Sequence, residues 1–454
     1  MEPFPYHVFI CDQHKAEGVP CCSARGSGKV IDALRGEIAA RGLMDEVQVT
    51  VCGSLGLCEW GPNLVVYPEG VWYCGVAPED VPEIVQSHFQ QGRVVERLVR
   101  ADAAALRSEI QTNRGKMMAA LRARDEAGAL PDDLAQTVRA FQESRVILTA
   151  VELDLFTAVG EGATASQVAA RVGANARATE MLMNALVALG LLAKQDGTFH
   201  NTPPAARHFV AGSPDDWRAA VMHTVHLWER WGTLSECVRA GTSVTYREMA
   251  ERPQEWTRAF IAAMHRNAME RAPAVVRAVG AGGIRRMLDV GGGSGAYSIA
   301  FAKASEQLEA DLLDLATVVP IAQGHIEQAG LSGRVKTRVA DLRTDQLGEG
   351  YDLVFISAIC HMLNVAENKD LLTRSHQALA ANGRLVIQDF ILEPDKTAPK
   401  SAALFALNML VGTREGSAYS EPEYAAWLAE AGFSDIRRVR LPGPSGLMVG
   451  VRKG

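Results

Sequence analysis

The spacing of apolar residues near the start of the chain predicts a small α/β domain. Short apolar runs alternate there with helical periods, and glycine and proline residues separate them. The predicted strands are 6–11, 47–52, 63–67 and 71–73, and the predicted helices are 29–41 and 78–90. This βαβββα order predicts one α/β unit over residues 1–100.

The pattern then changes to helical spacing. Residues 101–133 are rich in alanine, arginine and glutamate, which predicts a helical linker. Residues 134–275 are predicted to form a helical domain in which three helices precede a short hairpin. The three helices are 145–159, 165–172 and 176–189, and the hairpin turns at 196–197. Three helices followed by a hairpin are typical of a winged helix.

A winged helix can bind DNA or can join two copies of a chain. The third predicted helix contains a single basic residue, Arg177. Because affinity for DNA depends on the neutralisation of several phosphates, one arginine favours a dimerisation role. A DNA-binding regulator is the competing interpretation.

Residues 276–454 alternate between predicted strands and predicted helices. The strands are 287–290, 308–313, 335–339, 353–357 and 384–390, and the helices are 297–303, 318–329 and 369–380. Such alternation predicts a parallel, doubly wound sheet with helices on both faces.

A glycine-rich turn after the first of these strands indicates a ligand site. Gly291, Gly293 and Gly295 follow Asp289 closely. The spacing fits a dinucleotide fingerprint formally, with a pyrophosphate at the helix start. However, Asp289 would lie close to that anion, and a carboxylate there suits a ligand with an ammonium or sulfonium charge.

Two further carboxylates follow the next two strands. Asp314 lies 21 residues after Gly293, since 314 − 293 = 21, and can hold ribose hydroxyls. Asp341 is placed to accept a hydrogen bond from an adenine amino group. Each alone could be a helix cap. Together with Asp289 they favour S-adenosylmethionine over a nicotinamide cofactor.

Composition excludes several classes of protein. The 454 residues are 48% hydrophobic with a net charge of −7, which excludes a disordered chain and a strongly basic nucleic-acid binder. We find no apolar run of about 20 residues and no signal-peptide pattern at the start, so a cytoplasmic location is expected. Six of the eight cysteines lie in the first 74 residues, which favours metal binding or redox chemistry over buried thiols.

Residues 134–454 resemble the small-molecule methyltransferases related to caffeate and acetylserotonin O-methyltransferases. The matching stretches are Asp289–Gly295, Asp314-Leu315, Val339–Asp341, Tyr351–His361, Gly383–Leu392 and Glu421–Phe433. The resemblance implies a homodimer with a winged-helix dimerisation domain before a Rossmann-like class I methyltransferase domain. It implies S-adenosylmethionine binding by Asp289, Gly291, Gly293, Gly295, Asp314, Asp341 and Ser357.

The same resemblance implies that His361 is a general base, oriented by Asp389. The family often has a second acidic residue where this chain has Ala418, and Glu415 could substitute from nearby. These departures leave O-, N-, S- and C-methylation open. The segment 223–231, with Met264, His265 and Met269, forms either acceptor-pocket wall or ordinary helix core.

Residues 6–100 resemble thioredoxin-like [2Fe-2S] ferredoxins. The resemblance rests on Val8–Cys11, Cys22–Ser27, Cys58–Pro62 and Val65–Tyr73. It implies a [2Fe-2S] cluster on Cys11, Cys22, Cys52 and Cys58. Ser54 stands where the family has its third cysteine, so Cys52 would have to take over. A cluster-free docking domain is the second interpretation and a zinc site the third, disfavoured because no close cysteine pair of the usual kind is present.

These observations predict a cytoplasmic, homodimeric methyltransferase that uses S-adenosylmethionine. Its acceptor would be a small, aromatic or redox-active metabolite, with no nucleic acid or membrane as partner. The ferredoxin-like domain would serve redox control or electron delivery and could meet an electron-transfer partner. The alternative is a redox-sensing regulator in which the methyltransferase-like domain only binds a ligand.

Overall fold

The computed structural model describes residues 3–15, 19–128, 130–213, 215–248 and 251–454. These residues fall into two compact units, Met1–Ala140 and Phe141–Gly454. Among the helices of the described residues, none is long and apolar enough to cross a lipid bilayer.

The first unit contains a four-stranded sheet with helices on one face. Its elements are β1 (Tyr6–Cys11), α1 (Ser27–Ala40), β2 (Val47–Cys52), β3 (Asn63–Tyr67), β4 (Val71–Cys74), α2 (Val81–Ile84), α3 (Ala103–Glu126) and α4 (Asp132–Arg139). The strand order is β2-β1-β3-β4, with β1 parallel to β2 and antiparallel to β3. Alternation along β1 buries Val8 and Ile10 against Leu34 of α1.

The helix predicted over 78–90 is irregular. A 3-10 turn at Pro78–Asp80 leads into α2, and the segment Val85–Gln90 continues with the wider spacing of a π-helix. Val81, Ile84 and Phe89 still pack into the core of the unit. The predicted helix is therefore present as three consecutive helical segments of different spacing.

Helix α3, in the segment predicted to be a linker, lies against the loop between β2 and β3. Asn113 Nδ2 donates to the Gly56 carbonyl at 2.8 Å, and Trp60 Nε1 donates to Glu109 Oε1 at 2.7 Å. The Arg100 guanidinium lies 4.5 Å from the Trp60 ring centroid. This loop, which carries Ser54 and Cys58, is thus held from outside by the helix.

The second unit begins with helices and a small sheet. Its first elements are α5 (Phe141–Glu152), α6 (Leu155–Val159), β5 (Ala163–Thr164), α7 (Ala165–Val172), α8 (Ala176–Ala188), β6 (Leu192–Gln195), β7 (Thr198–Asn201), α9 (Pro203–Phe209), α10 (Arg218–Trp231), α11 (Leu234–Ala240) and α12 (Gln254–Val279). The single helix predicted over 145–159 is broken at Asp154, whose φ of 51° cannot continue a right-handed helix.

The rest of this unit is a seven-stranded sheet flanked by helices. Its elements are β8 (Arg286–Val290), α13 (Ala296–Ala304), β9 (Glu309–Asp314), α14 (Val319–Gln328), β10 (Val335–Val339), β11 (Tyr351–Ser357), α15 (Val365–Ala378), β12 (Leu379–Asp389), α16 (Lys400–Gly412), α17 (Glu421–Glu430), β13 (Ser434–Arg440) and β14 (Gly446–Val451). The strand order is β10-β9-β8-β11-β12-β14-β13.

The sheet is mixed, which corrects the prediction of a parallel one. Strands β8 to β12 are mutually parallel, but β14 runs antiparallel to both β12 and β13. Along β11, Val354 and Ile356 pack on one face of the sheet while Leu353 and Phe355 pack on the other. Because both faces are covered, the strand is a continuous apolar run. The carboxyl ends of the five parallel strands meet at one edge.

Candidate active site

The glycine-rich turn lies at this edge, between β8 and α13. Gly291, Gly293 and Gly295 have φ angles of 66°, 57° and 78°, which side chains other than glycine rarely adopt. A Cβ at Gly292 would lie 2.6 Å from Leu312 Cγ and 2.9 Å from Asp289 Cγ. A Cβ at Gly291 would overlap the Ile359 side chain. The turn is therefore restricted to glycine by conformation and by close packing.

Asp289 is buried beneath this turn with an incomplete set of partners. Its side chain is 1% exposed, and Ser298 Oγ donates to Oδ2 at 2.6 Å. Its Oδ1 atom is buried and has no hydrogen-bond partner in the described part of the chain. Burial raises the pKa of this carboxyl to about 6. A cationic ligand group would satisfy the free oxygen.

Asp314 supports the turn from the end of β9. Its Oδ2 accepts from the backbone N–H of Gly293 at 2.7 Å, and its Oδ1 accepts from that of Leu315 at 2.7 Å. Burial raises the pKa of this carboxyl also. Two fixed hydrogen bonds leave its remaining lone pairs in a defined direction.

The other two residues predicted to bind the cofactor have local partners. Asp341 Oδ1 accepts from the backbone N–H of Arg343 at 2.9 Å, which forms a turn after β10. Ser357 Oγ donates to Gln388 Oε1 at 2.9 Å and so joins the ends of β11 and β12. Both residues lie at the same sheet edge as Asp314.

His361 and Asp389 form a buried pair at the ends of β11 and β12. His361 Nδ1 lies 2.6 Å from Asp389 Oδ1, and the His361 backbone N–H donates to Asp389 Oδ2 at 3.1 Å. A carboxylate can only accept, so Nδ1 carries the proton and Nε2 keeps its lone pair. The pair therefore presents an imidazole nitrogen that can take up a proton.

Tyr424 is a third member of this network that sequence reasoning missed. Its hydroxyl donates to Asp389 Oδ2 at 3.2 Å from helix α17, 35 positions away in the chain. Nothing local marks this tyrosine, although it lies in a stretch that resembles the family. Glu415, considered as a second orienting acid, instead accepts from Asn364 Nδ2 at 2.7 Å. Ala418 is buried beside Leu392.

Aromatic rings surround the imidazole of His361. The Phe405 ring of α16 meets it edge-on with centroids 4.7 Å apart. Phe390 stacks on Phe405 with centroids 3.9 Å apart. These rings form an apolar wall beside the base, which is the environment that an aromatic molecule would occupy.

His265 of α12 contacts the glycine-rich turn directly. Its Nδ1 lies 2.9 Å from Ser294 Oγ, and its ring stacks on His325 with centroids 4.1 Å apart. Burial and the neighbouring His325 lower the pKa of His265 to about 4, so the ring is neutral at ordinary pH. This residue thus holds α12 on the turn.

The remaining pocket candidates lie on α10 and α12. The segment 223–231 belongs to α10, where Trp231 Nε1 donates to Asn408 Oδ1 of α16 at 3.0 Å. Met264 is half-buried and Met269 is 51% exposed on α12. Helix α10 therefore packs beside the helix that carries Phe405.

The cysteines of the first unit converge on the loop between β2 and β3. The thiols of Cys11 and Cys22 hydrogen-bond to each other, which lowers the pKa of Cys11 to about 6 and raises that of Cys22. Ser54 Oγ lies 3.4 Å from Cys58 Sγ. Asn63 Nδ2 donates to Cys22 Sγ at 3.6 Å. These contacts form two pairs, Cys11 with Cys22 and Ser54 with Cys58.

Cys52 belongs to neither of these pairs. It is opposite Cys11 in the register of β1 and β2, and it lines a cavity of about 740 Å³ with His7, Phe9, Ser54 and Trp72. Across the residues that the structure describes, no three His, Cys, Asp or Glu side chains are arranged to share one metal ion.

Comparison with known proteins identifies both parts of the second unit. Residues 135–211 match the profile of the O-methyltransferase dimerisation domain, and residues 234–434 match that of the O-methyltransferase domain. The second match includes every residue described above around the glycine-rich turn and His361, from His265 of α12 to Tyr424 of α17.

Individual relatives agree with these profiles. The 3-hydroxy-5-methyl-1-naphthoate 3-O-methyltransferase of Streptomyces sahachiroi is 33% identical over 334 residues, which cover 71% of this chain and 95% of that protein. The tetracenomycin polyketide synthesis 8-O-methyl transferase TcmO of Streptomyces glaucescens is 29% identical, over 70% of this chain and 96% of that protein. The structure of PigF with SAH superposes with a TM-score of 0.66 at 26% identity, over 71% of this chain and 100% of that one; PigF is from Serratia.

The raised pKa of Asp289 predicts a specific pH dependence of stability. A carboxyl whose pKa is higher when folded contributes stability below its ordinary pKa of 3.8, and this contribution is lost as pH rises through about 6. Between about pH 4 and about pH 7.5, wild type should lose about 2.5 kcal/mol relative to Asp289→Asn. Urea unfolding of the ligand-free protein at both pH values measures this difference.

The exposed turn residue Asp196 supplies the control for this comparison. Asp196→Asn should follow wild type at both pH values. If Asp289→Asn also follows wild type, the carboxyl is not desolvated in the folded protein and the account of the turn is wrong.

Proposed function

Because the chain belongs to the O-methyltransferase family and is an S-adenosylmethionine-dependent methyltransferase, we propose that its acceptor is a hydroxyl group of a small aromatic molecule. The observation that carries this proposal is the buried pair of His361 and Asp389 beside Phe405. The pair supplies a proton acceptor, and the ring supplies a surface for a flat apolar molecule.

The residues at the glycine-rich turn fit S-adenosylmethionine, which supplies an activated methyl group when bound. Asp289 has a free buried oxygen for a positive charge, and the glycines allow close approach of a ligand to the backbone. We propose that Asp289, Gly291, Gly293, Gly295, Asp314, Asp341 and Ser357 bind it. Asp314 would accept from ribose hydroxyls and Asp341 from an adenine amino group.

His361 would act as the general base. Its Nε2 would take the proton of the acceptor hydroxyl, which would make that oxygen more nucleophilic, and the imidazole would become an imidazolium ion. Asp389 stabilises that charge and keeps the ring in the required tautomer through Nδ1. Tyr424 orients Asp389 and is a positioning residue.

The relatives support oxygen and an aromatic skeleton as the acceptor. Two of them are named as O-methyltransferases, one of a hydroxynaphthoate and one of a tetracenomycin polyketide. We further propose that the chain is a homodimer, on the basis of the dimerisation domain matched at residues 135–211.

For the first unit, we propose a [2Fe-2S] cluster that serves redox control or electron delivery to or from a partner protein. Such a cluster takes four protein ligands, two at each iron. The pairs Cys11 with Cys22 and Ser54 with Cys58 support this arrangement, as does the donation from Asn63 to a cysteine sulfur. The strand order β2-β1-β3-β4 supports a thioredoxin-like domain. The geometry favours Ser54 over Cys52 as the fourth ligand.

The assignment of the base predicts the effect of His361→Asn. Removing the proton acceptor should lower kcat about 100- to 10,000-fold. The dissociation constant for S-adenosylmethionine should stay within about twofold, because the glycine-rich turn is unchanged. Turnover of a panel of phenols and naphthols, with calorimetric titration of the cofactor, measures both quantities.

His200→Asn on the β6–β7 hairpin is the matched control, because His200 contacts the Glu161 carbonyl and lies in the helical part of the unit. It should retain wild-type turnover. A His361→Asn variant with unchanged kcat would refute the general-base assignment, and failure of every hydroxylated aromatic to accept a methyl group would refute the acceptor class.

The proposed ligand pairs predict which substitutions remove iron. Wild type purified without oxygen should contain about two irons and two sulfides per chain. Ser54→Ala should lose most of this iron because one ligand of the second pair is gone, whereas Cys52→Ala should keep it. Chemical iron and sulfide analysis, together with the electron paramagnetic resonance of the reduced protein, measures the outcome.

Ser54→Cys and Cys74→Ala complete this series. Ser54→Cys should keep the iron with an altered absorption spectrum, because a thiolate replaces an oxygen ligand, and Cys74→Ala should match wild type. Loss of iron in Cys52→Ala but not in Ser54→Ala would make Cys52 the fourth ligand. Wild type without iron would refute the cluster.

A further inference from the structure

A group of cationic and aromatic side chains near the active site has no part in the chemistry described above. We call it the Arg230 cluster. Its members are His223, His226 and Arg230 of α10, Arg252, and Trp256 and Phe260 of α12. Its charged groups have few protein partners, which is unusual for side chains that are only half-exposed or less.

Arg252 Nη2 donates to the Arg247 carbonyl at 2.9 Å, but three other polar atoms of the cluster have no such contact in the part of the chain that the structure describes. Arg230 Nη2 and the Nδ1 atoms of His223 and His226 are buried and have no hydrogen-bond partner within the described ranges. Burial and the positive charge of Arg252 lower the pKa of Arg230 to about 10. Glu248 lies close to Arg252 in sequence but pairs with Arg414 at 3.5 Å. Glu229 and Glu248 offset part of the positive charge of Arg230 and Arg252, but among the described residues Arg230 Nη2 still lacks an acceptor.

The guanidinium groups of Arg230 and Arg252 both lie against the ring of Trp256. Arg252 lies 4.3 Å and Arg230 lies 5.2 Å from the centroid of the Trp256 ring. Trp256 in turn stacks on Phe260 with centroids 5.3 Å apart. A guanidinium stacked through its face keeps its N–H edge free, and that edge matches the two oxygens of a carboxylate.

Helix α16 connects the cluster to the catalytic base. At the end of this helix, a Cβ on Gly412 would lie 3.4 Å from Arg230 Nη1. Seven residues earlier, Phe405 contacts the His361 ring. Seven residues of helix span about 10 Å. A bicyclic or tricyclic aromatic molecule with substituents at opposite ends can bridge this distance.

We propose that the Arg230 cluster binds a carboxylate of the methyl acceptor, so that the acceptor class is an aromatic hydroxy acid whose hydroxyl group reaches His361. This inference rests on the proposed function. Arg230 and Arg252 supply N–H donors to the carboxylate, His223 and His226 supply ring nitrogens, and Trp256 and Phe260 border the aromatic skeleton.

The test compares a hydroxynaphthoic acid, with hydroxyl and carboxyl groups at opposite ends of the rings, with its carboxamide. Binding is measured by calorimetry on full-length protein saturated with S-adenosylhomocysteine, and turnover is measured with S-adenosylmethionine. Wild type should bind the acid at least about tenfold more tightly than the amide, because the amide carries no charge. Arg230→Gln should weaken binding of the acid by about 10- to 100-fold and binding of the amide by less than about threefold.

Arg252→Gln provides a second variant, and the exposed Arg239→Gln on α11 provides the control. Arg252→Gln should reduce the preference for the acid in the same direction, while Arg239→Gln should leave it unchanged. Equal affinity of wild type for acid and amide would overturn the proposal. Equal losses for both ligands in Arg230→Gln, or its conversion to a monomer in sedimentation, would also overturn it by assigning the cluster to packing or to a subunit contact.

Failure of this inference differs from failure of the proposed function. If acid and amide are methylated equally well, the hydroxyl acceptor stands and the carboxylate site falls. If the acid binds through Arg230 but is never methylated, the carboxylate site stands and the acceptor class falls.

Discussion

The parallel alignment of β8, β9, β11 and β12 is the constraint on which the active site depends. Because side chains at the carboxyl ends of parallel strands share one edge, this alignment brings Asp289, Asp314, Ser357 and Asp389 together from segments that span 100 residues of chain. The glycine-rich turn and the pair of His361 and Asp389 are thus two parts of one sheet edge. Helix α12 contacts the glycine-rich turn through His265, and helix α16 contacts His361 through Phe405.

Two buried side chains of opposite charge have incomplete hydrogen bonding. Asp289 has a buried oxygen without a partner, and Arg230 has a buried nitrogen without a partner, among the described residues. Each arrangement lowers the stability of the ligand-free protein, since an unsatisfied buried polar group is unfavourable. Each also makes the free energy of ligand binding more favourable, because the ligand pairs with a group that has no partner in the ligand-free protein. The two positions therefore have the character of binding sites and contribute little to holding the fold together.

Sequence reasoning located the parts of the site that local pattern determines. The glycine spacing and the acid after each strand are encoded within a few residues, so Asp289 and Asp314 could be selected without a structure. His361 was selected through the resemblance of its segment to the family. His265 and the segment that contains Arg230 were pocket candidates, but their contacts and those of Tyr424 depend on which helix faces which, and no short pattern records that. The break at Asp154 and the antiparallel strand β14 were also missed. The break depends on one residue in the left-handed conformation, and β14 depends on pairing between strands that are distant in sequence.

Cys52 and Ser54, the two alternatives for the fourth ligand of the proposed cluster, differ in how the sheet fixes their positions. Cys52 is the last residue of β2 and lies beside Cys11, so its position is set by the sheet. Ser54 lies beyond the strand, in the loop that also carries Cys58, and its oxygen is free to approach that sulfur. Helix α3 holds this loop through Asn113 and Glu109. A change in the bonding of Ser54 or Cys58 would therefore first alter the contacts between this loop and α3.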